Sequence, residues 1–172
     1  YYIEKKIARN ALNHIVHSAL VRENLLRLGA GVNRIKVIPN GIDLEMINKS
    51  PVFPKKIDIL FVGRLISHKN ADLLIDIVYL LAQKHSNVNC IIIGSGIQKR
   101  FLIEKVKKLG LAGNVMFKES LNYGAILSYM KSSKVFVFPS SREGFGMVVA
   151  EALGCGLPVV LLNEPMNASV EL

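Results

Sequence analysis

The chain has 172 residues, 51% of them apolar, and a net charge of +9 from 22 Lys and Arg against 13 Asp and Glu. That length suits about one domain with a substantial core. No apolar run approaches the roughly 18 residues of a membrane-crossing helix, so a soluble protein is expected. The cations are scattered, with no recognition helix, aromatic stacking face or Cys/His finger, which argues against nucleic acid as the partner. Phosphate-bearing ligands or an anionic membrane surface account for the charge at least as well.

In chain order, Tyr1 to Leu28 reads as one long amphipathic helix, with Ile3, Ile7, Leu12, Ile15, Val16, Leu20, Leu25 and Leu26 on a broad face. Gly29 and Gly31 stop it. The opening carries no signal-peptide pattern and too many charges to cross a membrane. Arg34 to Asp43 reads as a short strand closed by a Pro-Asn-Gly turn, and Ser50 to Lys56 as a linker with two prolines and two lysines.

From Ile57 the pattern becomes regular. Strands are expected at Ile57–Val62, Asn89–Ile93, Asn114–Phe117, Lys134–Phe138 and Leu157–Leu162. Helices are expected over about Asn70–His85, Ile97–Leu109, Tyr123–Lys131 and Met147–Leu153. Strands alternating with helices at this spacing predict an α/β protein, a doubly wound parallel sheet with helices on both faces. Cys90 and Cys155 have no metal-ligand spacing and read as free, buried, reduced thiols, as a cytoplasmic compartment would keep them. His14, His17, His68 and His85 are too scattered for a zinc site.

Two constellations carry chemistry. The first is Val135-Phe-Val-Phe-Pro-Ser-Ser-Arg-Glu143-Gly-Phe-Gly-Met-Val-Val-Ala-Glu151-Ala-Leu-Gly-Cys-Gly-Leu-Pro. It places Glu143 in the loop at the carboxyl end of a buried strand, where open α/β sheets bind ligands. Glu151 is expected two turns into the next helix, roughly 12 Å further along. The second is Phe61-Val-Gly63-Arg64-Leu-Ile-Ser-His-Lys69-Asn70. Gly63 lets backbone approach a ligand, while Arg64 and Lys69 precede a helix N-terminus. A planar fork, a point charge and a helix dipole together suit a diphosphate. Gly94-Ser-Gly96 half-matches a dinucleotide fingerprint, but Lys99 occupies its third glycine, so a tight strand–helix turn is the better reading.

The framed Glu-x7-Glu stretch, the Gly-Arg-Leu segment with Lys69 five residues after Arg64, and the Val37-Ile-Pro-Asn-Gly-Ile-Asp43 connector resemble retaining glycosyltransferases of the two-Rossmann-domain (GT-B) type, glycosyltransferase family 4. The resemblance covers roughly the whole chain. It implies the Rossmann-like C-terminal half of a GT-B fold: residues 1–50 as connecting helix and strand, residues 51–172 as the donor-binding domain. The acceptor-binding domain would precede residue 1, and the last turn of the donor domain would follow residue 172.

The resemblance also implies roles. Arg64 and Lys69 would grip the nucleotide diphosphate and stabilise the leaving group, and Glu143 would orient the donor sugar, these three forming the catalytic set. Glu151 would hold the ribose hydroxyls. Gly63, Gly94 and Gly96 would admit the ligand to the backbone, Phe145, Gly146 and Met147 would face the sugar or distal phosphate, and Asn114 to Ser120, with Phe117 and Lys118, would frame the base.

No cofactor and no metal are implied, since two cations occupy the divalent ion's role and no Asp-x-Asp motif is present. The expected partners are a nucleotide-diphosphate sugar and a sugar, lipid or polysaccharide acceptor. Contact of the basic helix Gln98–Lys108 with a membrane is weighed against a plain solvated face. Two departures stand out: Glu119 replaces a usual glycine, and Asn163 to Ala168 replaces a usual Gly-Gly-x-x-Glu. Base and sugar are therefore open. A non-catalytic nucleotide-sugar binding module, or an epimerase or phosphorylase of the same architecture, are the alternatives.

Overall fold

The computed structural model describes residues 2–54, 57–119 and 121–172. Tyr1, the end of the expected linker at Lys55–Lys56, and Ser120 of the expected base-framing segment lie outside the described residues.

Five parallel strands form the central sheet: β3 (Ile57–Val62), β4 (Cys90–Ile93), β5 (Val115–Lys118), β6 (Ser133–Phe138) and β8 (Val159–Leu161), in the order β5-β4-β3-β6-β8. Two shorter strands outside this sheet, β7 (Arg142–Glu143) and β9 (Met166–Asn167), pair with each other. The central strand β3 is buried at five of its six positions, as a strand covered on both faces must be.

The connecting helices are α4 (Ala71–Ala82), α5 (Lys99–Lys108), α6 (Tyr123–Lys131) and α7 (Met147–Gly154). The chain winds outward from β3 through β4 to β5, then returns to β6 and β8 on the other side. Right-handed crossovers in these two directions put α4 and α5 on one face and α6 and α7 on the other. Accordingly α4 packs on α5, and α6 packs on α7 and β3. Winding reverses between β3 and β6, so the loops after them diverge and leave a crevice at their carboxyl ends. Phe61, Phe136 and Phe138 fill the core beneath that crevice, with the Phe138 ring 5.8 Å from that of Phe61 and 5.7 Å from that of Phe136.

Every strand and helix expected from Ile57 onward is present, with ends that agree or shift by up to three residues. The opening is different. It is not one helix: α1 (Tyr2–Asn10) and α2 (Ala19–Arg27) are separated by a strand, β1 (His14–Val16). Strand β1 pairs in parallel with β2 (Ile35–Val37), and the Ile38 N–H donates to the Val16 carbonyl at 2.7 Å. Ser18 starts a new helix, its Oγ accepting from the Val21 N–H at 3.2 Å. The apolar spacing is compatible with a continuous helix, but an N-cap serine after two β-branched residues breaks it once a partner strand satisfies their backbone.

A short helix was also unforeseen. Asp43 accepts from the Met46 N–H at 2.8 Å and caps α3 (Leu44–Lys49), which packs on α6. Glu151 lies one turn into α7 rather than two, because the helix begins only at Met147. Helical rise between Glu143 and Glu151 is therefore about 6 Å, not 12. Glu143 itself sits in β7 instead of an irregular loop. Cys90 is buried as expected, but Cys155, at the end of α7, is partly exposed.

Candidate functional site

The crevice between β3 and β6 gathers much of the expected set. A cavity of about 440 Å³ is lined by Gly63 and Arg64 after β3, Lys69 before α4, Glu143 on β7, and Gly146, Met147 and Glu151 at α7. These seven come from segments up to 88 residues apart, and only the sheet order brings them together.

Side-chain hydrogen bonds stitch the two loops to each other. Asn70 ends a single 3-10 turn in the left-handed conformation (φ 49°) and donates from Nδ2 to the Pro139 carbonyl at 2.9 Å. The His68 carbonyl accepts from the Ser141 N–H at 2.9 Å and from Ser140 Oγ at 3.1 Å. The buried Asn167 donates from Nδ2 to the Ser140 and Leu162 carbonyls, at 3.0 and 2.9 Å, and accepts from the Ser169 N–H. Bonds of this kind fix the loops that carry Lys69 and Glu143 against each other.

Lys69 is the most confined cation of the site. Its Nζ donates to Glu143 Oε1 and lies 4.9 Å from the centroid of the Phe138 ring. With Lys69 only 9% exposed, the ion pair and the ring face together offset the cost of burying an ammonium. Arg64 is exposed on the same wall.

Glu151 experiences a different environment. Burial raises its pKa above the ordinary 4.5, and a hydrogen bond from Tyr123 partly offsets this. A partly dehydrated carboxylate of this kind is ready to accept from hydroxyl groups that enter the cavity. Gly146 is the N-cap of α7 with φ +89°, and a Cβ there would lie 2.5 Å from that of Ser169. No side chain caps this helix, and its first residues, Met147 and Val148, line the cavity at the positive end of its dipole.

Other expected residues stand apart. Gly94 and Gly96 are required by chain packing: a Cβ at either would lie 1.9 Å from the Gly63 carbonyl oxygen or 2.3 Å from that of Leu65. Phe145 is buried and Phe117 is half-buried on β5. Lys118 points its ammonium over the Tyr129 ring, 5.6 Å from the centroid, and lines a separate groove with Phe53 and Met116. Glu119, at the position where a glycine was expected, pairs with Lys99. Among the described residues, no group of three His, Cys, Asp or Glu side chains gathers where it could hold a metal ion. No helix among them is long and apolar enough to cross a membrane.

The family model for glycosyl transferases group 1 matches residues 43–171, which include every residue named above from β3 to Ser169. The chain belongs to that family. It is 33% identical over 159 residues to an uncharacterized glycosyltransferase of Haemophilus influenzae, covering 92% of this chain and 44% of that protein. It is 30% identical over 159 residues to the gpi3 subunit of the Schizosaccharomyces pombe phosphatidylinositol N-acetylglucosaminyltransferase, covering 90% and 35%.

Among solved structures, Anabaena HepE in complex with UDP-glucose superimposes with a TM-score of 0.80 at 25% identity, over 96% of this chain and 48% of that one. S. aureus TarM, in complex with UDP and α-GlcNAc-glycerol among other ligands, superimposes with a TM-score of 0.81 at 25% identity, over 98% and 33%. The chain thus spans about a third to a half of the length of these glycosyltransferases, and its fold is that of the Rossmann-like C-terminal half of GT-B enzymes.

Four features of the site escaped the sequence reading: the Asn70 and Asn167 anchors, the Tyr123–Glu151 contact and the Lys69–Glu143 pair. Asn70 and Asn167 each lie near a Pro or Ser turn, but a side chain that bonds a carbonyl tens of residues away leaves no local periodicity.

Proposed function

We propose that this chain is the donor-binding part of a retaining glycosyltransferase that uses a nucleotide-diphosphate sugar. In this reading residues 51–172 bind the donor and residues 1–50 connect it to an acceptor-binding part. The observation that carries the reading is the single cavity shared by Arg64, Lys69, Glu143 and Glu151, with an uncapped helix N-terminus on its wall.

In this reading the donor is divided among these groups. Ribose hydroxyls lie against Glu151, whose half-buried carboxylate regains by hydrogen bonding what it lost in hydration. The diphosphate lies against Arg64, Lys69 and the first N–H groups of α7, all of them donors. The sugar lies toward Glu143, whose second oxygen remains available while the first accepts from Lys69. As the bond from the anomeric carbon to the diphosphate oxygen breaks, negative charge grows next to Arg64 and Lys69. Such preorganised donors are usually the largest catalytic term. Glu143 orients the sugar and is not assigned as a covalent nucleophile. The cations take the place a metal ion would have, so no cofactor is required in this reading.

UDP bound to HepE and to TarM makes uridine the first base to test. Calorimetric titration of the chain with UDP, GDP and ADP, alone and as sugar conjugates, should find one nucleotide bound selectively. The binding should be lost in Arg64→Ala and Glu151→Ala. In the longer parent protein, Arg64→Ala should lower turnover on the order of a hundredfold; a change within about threefold would sink the reading.

A further inference from the structure

Arg64, Lys69 and Glu143 stand on the wall of two cavities. The second, of about 400 Å³, opens toward α2 and does not include Glu151. Its wall adds Leu20, Val21 and Asn24 from α2, His68 from the turn before α4, and Arg142 and Met166 from the β7–β9 pair. None of these six lines the donor cavity.

The charge of this second cavity is one-sided. Among the described residues Glu143 is the sole carboxylate on its wall, and it is already paired with Lys69. The Arg64 and Arg142 guanidinium groups and the His68 imidazole remain, and among the described residues no ion pair engages any of the three. Arg142 is also well placed by its backbone: β7 holds it opposite Met166, and the neighbouring Asn167 is tied to Ser140. A guanidinium presents a planar pair of N–H donors that matches phosphate. Leu20, Val21 and Met166 suit a carbon skeleton, and the Asn24 amide can donate to or accept from a hydroxyl.

We propose that this second cavity is an acceptor subsite for a compound carrying a phosphate beside the hydroxyl that receives the sugar, with Arg142 and His68 as its anion-binding groups. The proposal rests on the donor reading, which puts the leaving diphosphate on the shared wall at Arg64 and Lys69. The acceptor oxygen bonds to the anomeric carbon, the bond from that carbon to the diphosphate oxygen breaks, and the hydroxyl proton departs with the nucleoside diphosphate. The phosphate can belong to a soluble polyol phosphate or to a lipid headgroup; the recognising chemistry is the same.

The test uses the whole chain, with and without saturating UDP, and two probes. Glycerol phosphate is titrated calorimetrically, and phosphatidylcholine vesicles with and without phosphatidylglycerol are used in co-sedimentation. We expect at least one probe to bind while UDP stays bound, and Arg142→Gln to weaken it by about tenfold or more, as loss of a charged hydrogen bond does. UDP affinity in that variant should stay within about twofold of wild type, since Arg142 is not on the donor wall. Binding of glycerol phosphate assigns the subsite to a soluble acceptor; binding of phosphatidylglycerol vesicles alone assigns it to a lipid headgroup. Competition of the probe with UDP, indifference to Arg142→Gln, or no binding of either probe overturns the proposal. If UDP does not bind, the donor reading is the one that falls. Arg142-dependent phosphate binding would still uphold the anion subsite, and its absence would remove that too.

Discussion

The Lys69 ammonium and the Glu143 carboxylate hold each other on the wall between two cavities, with side chains only 11% and 13% exposed. The pair ties the cation assigned to the diphosphate to the acid assigned to the sugar. Removing one partner strands the other in a poorly solvated place. Glu143→Gln should therefore cost about 1–3 kcal/mol of stability in urea unfolding, below the full value for a wholly buried pair because the cavities admit water. Lys69→Met in the Glu143→Gln background should restore much of that loss without restoring donor binding. If the double variant is no more stable than Glu143→Gln, the two groups are not coupled.

Glu151 should trade stability against ligand binding. Burial raises its folded-state pKa, so the folded protein holds this proton more tightly than the unfolded chain. The stability associated with the protonated form is fully present below the ordinary pKa of 4.5 and is lost as pH rises through the higher folded value. Glu151→Gln should thus melt at a higher temperature than wild type at neutral pH, with the difference shrinking at acid pH. Nucleotide affinity should fall in the same variant. A melting-temperature difference that does not change with pH would contradict this assignment.

The two thiols should react at different rates. Burial alone pushes Cys90 up to about 12, so almost no thiolate forms at neutral pH. Cys155 is also raised by burial, opposed by the nearby Lys131, but it is partly exposed. Iodoacetamide followed by peptide mass mapping should label Cys155 slowly and leave Cys90 unmodified until denaturant is added. Equal labelling of both in the native protein would refute the buried placement of Cys90.

Glycine substitutions should separate packing from binding. Gly94→Ala drives a Cβ to 1.9 Å from the Gly63 oxygen, a backbone atom with no easy escape. It should cost at least about 2 kcal/mol, in the upper range for single substitutions. Gly110 has φ +71° but nothing within 4 Å of the point a Cβ would occupy, so Gly110→Ala should cost only the backbone strain of about 1 kcal/mol. Comparable losses at both positions, measured by chemical denaturation, would mean that the close approach of the β3 and β4 loops is not rigid.

Asn167→Ala should act on the site at a distance. It removes two bonds to carbonyls and leaves the Ser140 carbonyl, in the loop that carries Glu143, without that donor. We expect about 1–3 kcal/mol of destabilisation and weaker nucleotide binding, although Asn167 lines neither cavity. Unchanged affinity alongside lower stability would restrict its role to the fold.

Much of the architecture was legible in the sequence, because parallel strands buried on both faces must be apolar throughout and their helices must repeat at helical spacing. Ile57–Val62 and Tyr123–Lys131 even keep the expected ends. Arg64, Lys69, Glu143 and Glu151 were legible for a related reason: each follows a buried strand within one loop or one helical turn, so local pattern gives its position. Three things were decided only in three dimensions. The opening segment splits at His14–Val16 because β2 offers it a partner, and a helical apolar stripe cannot register a strand that forms across 21 residues. Asn70 and Asn167 fasten the loops through side-chain hydrogen bonds to carbonyls, which have no periodicity to read. The Lys69–Glu143 pair, and with it the wall dividing one cavity from the other, exists because β3 and β6 lie side by side where the winding reverses. Local pattern specifies which residues leave the sheet at its carboxyl edge; strand order specifies which of them meet.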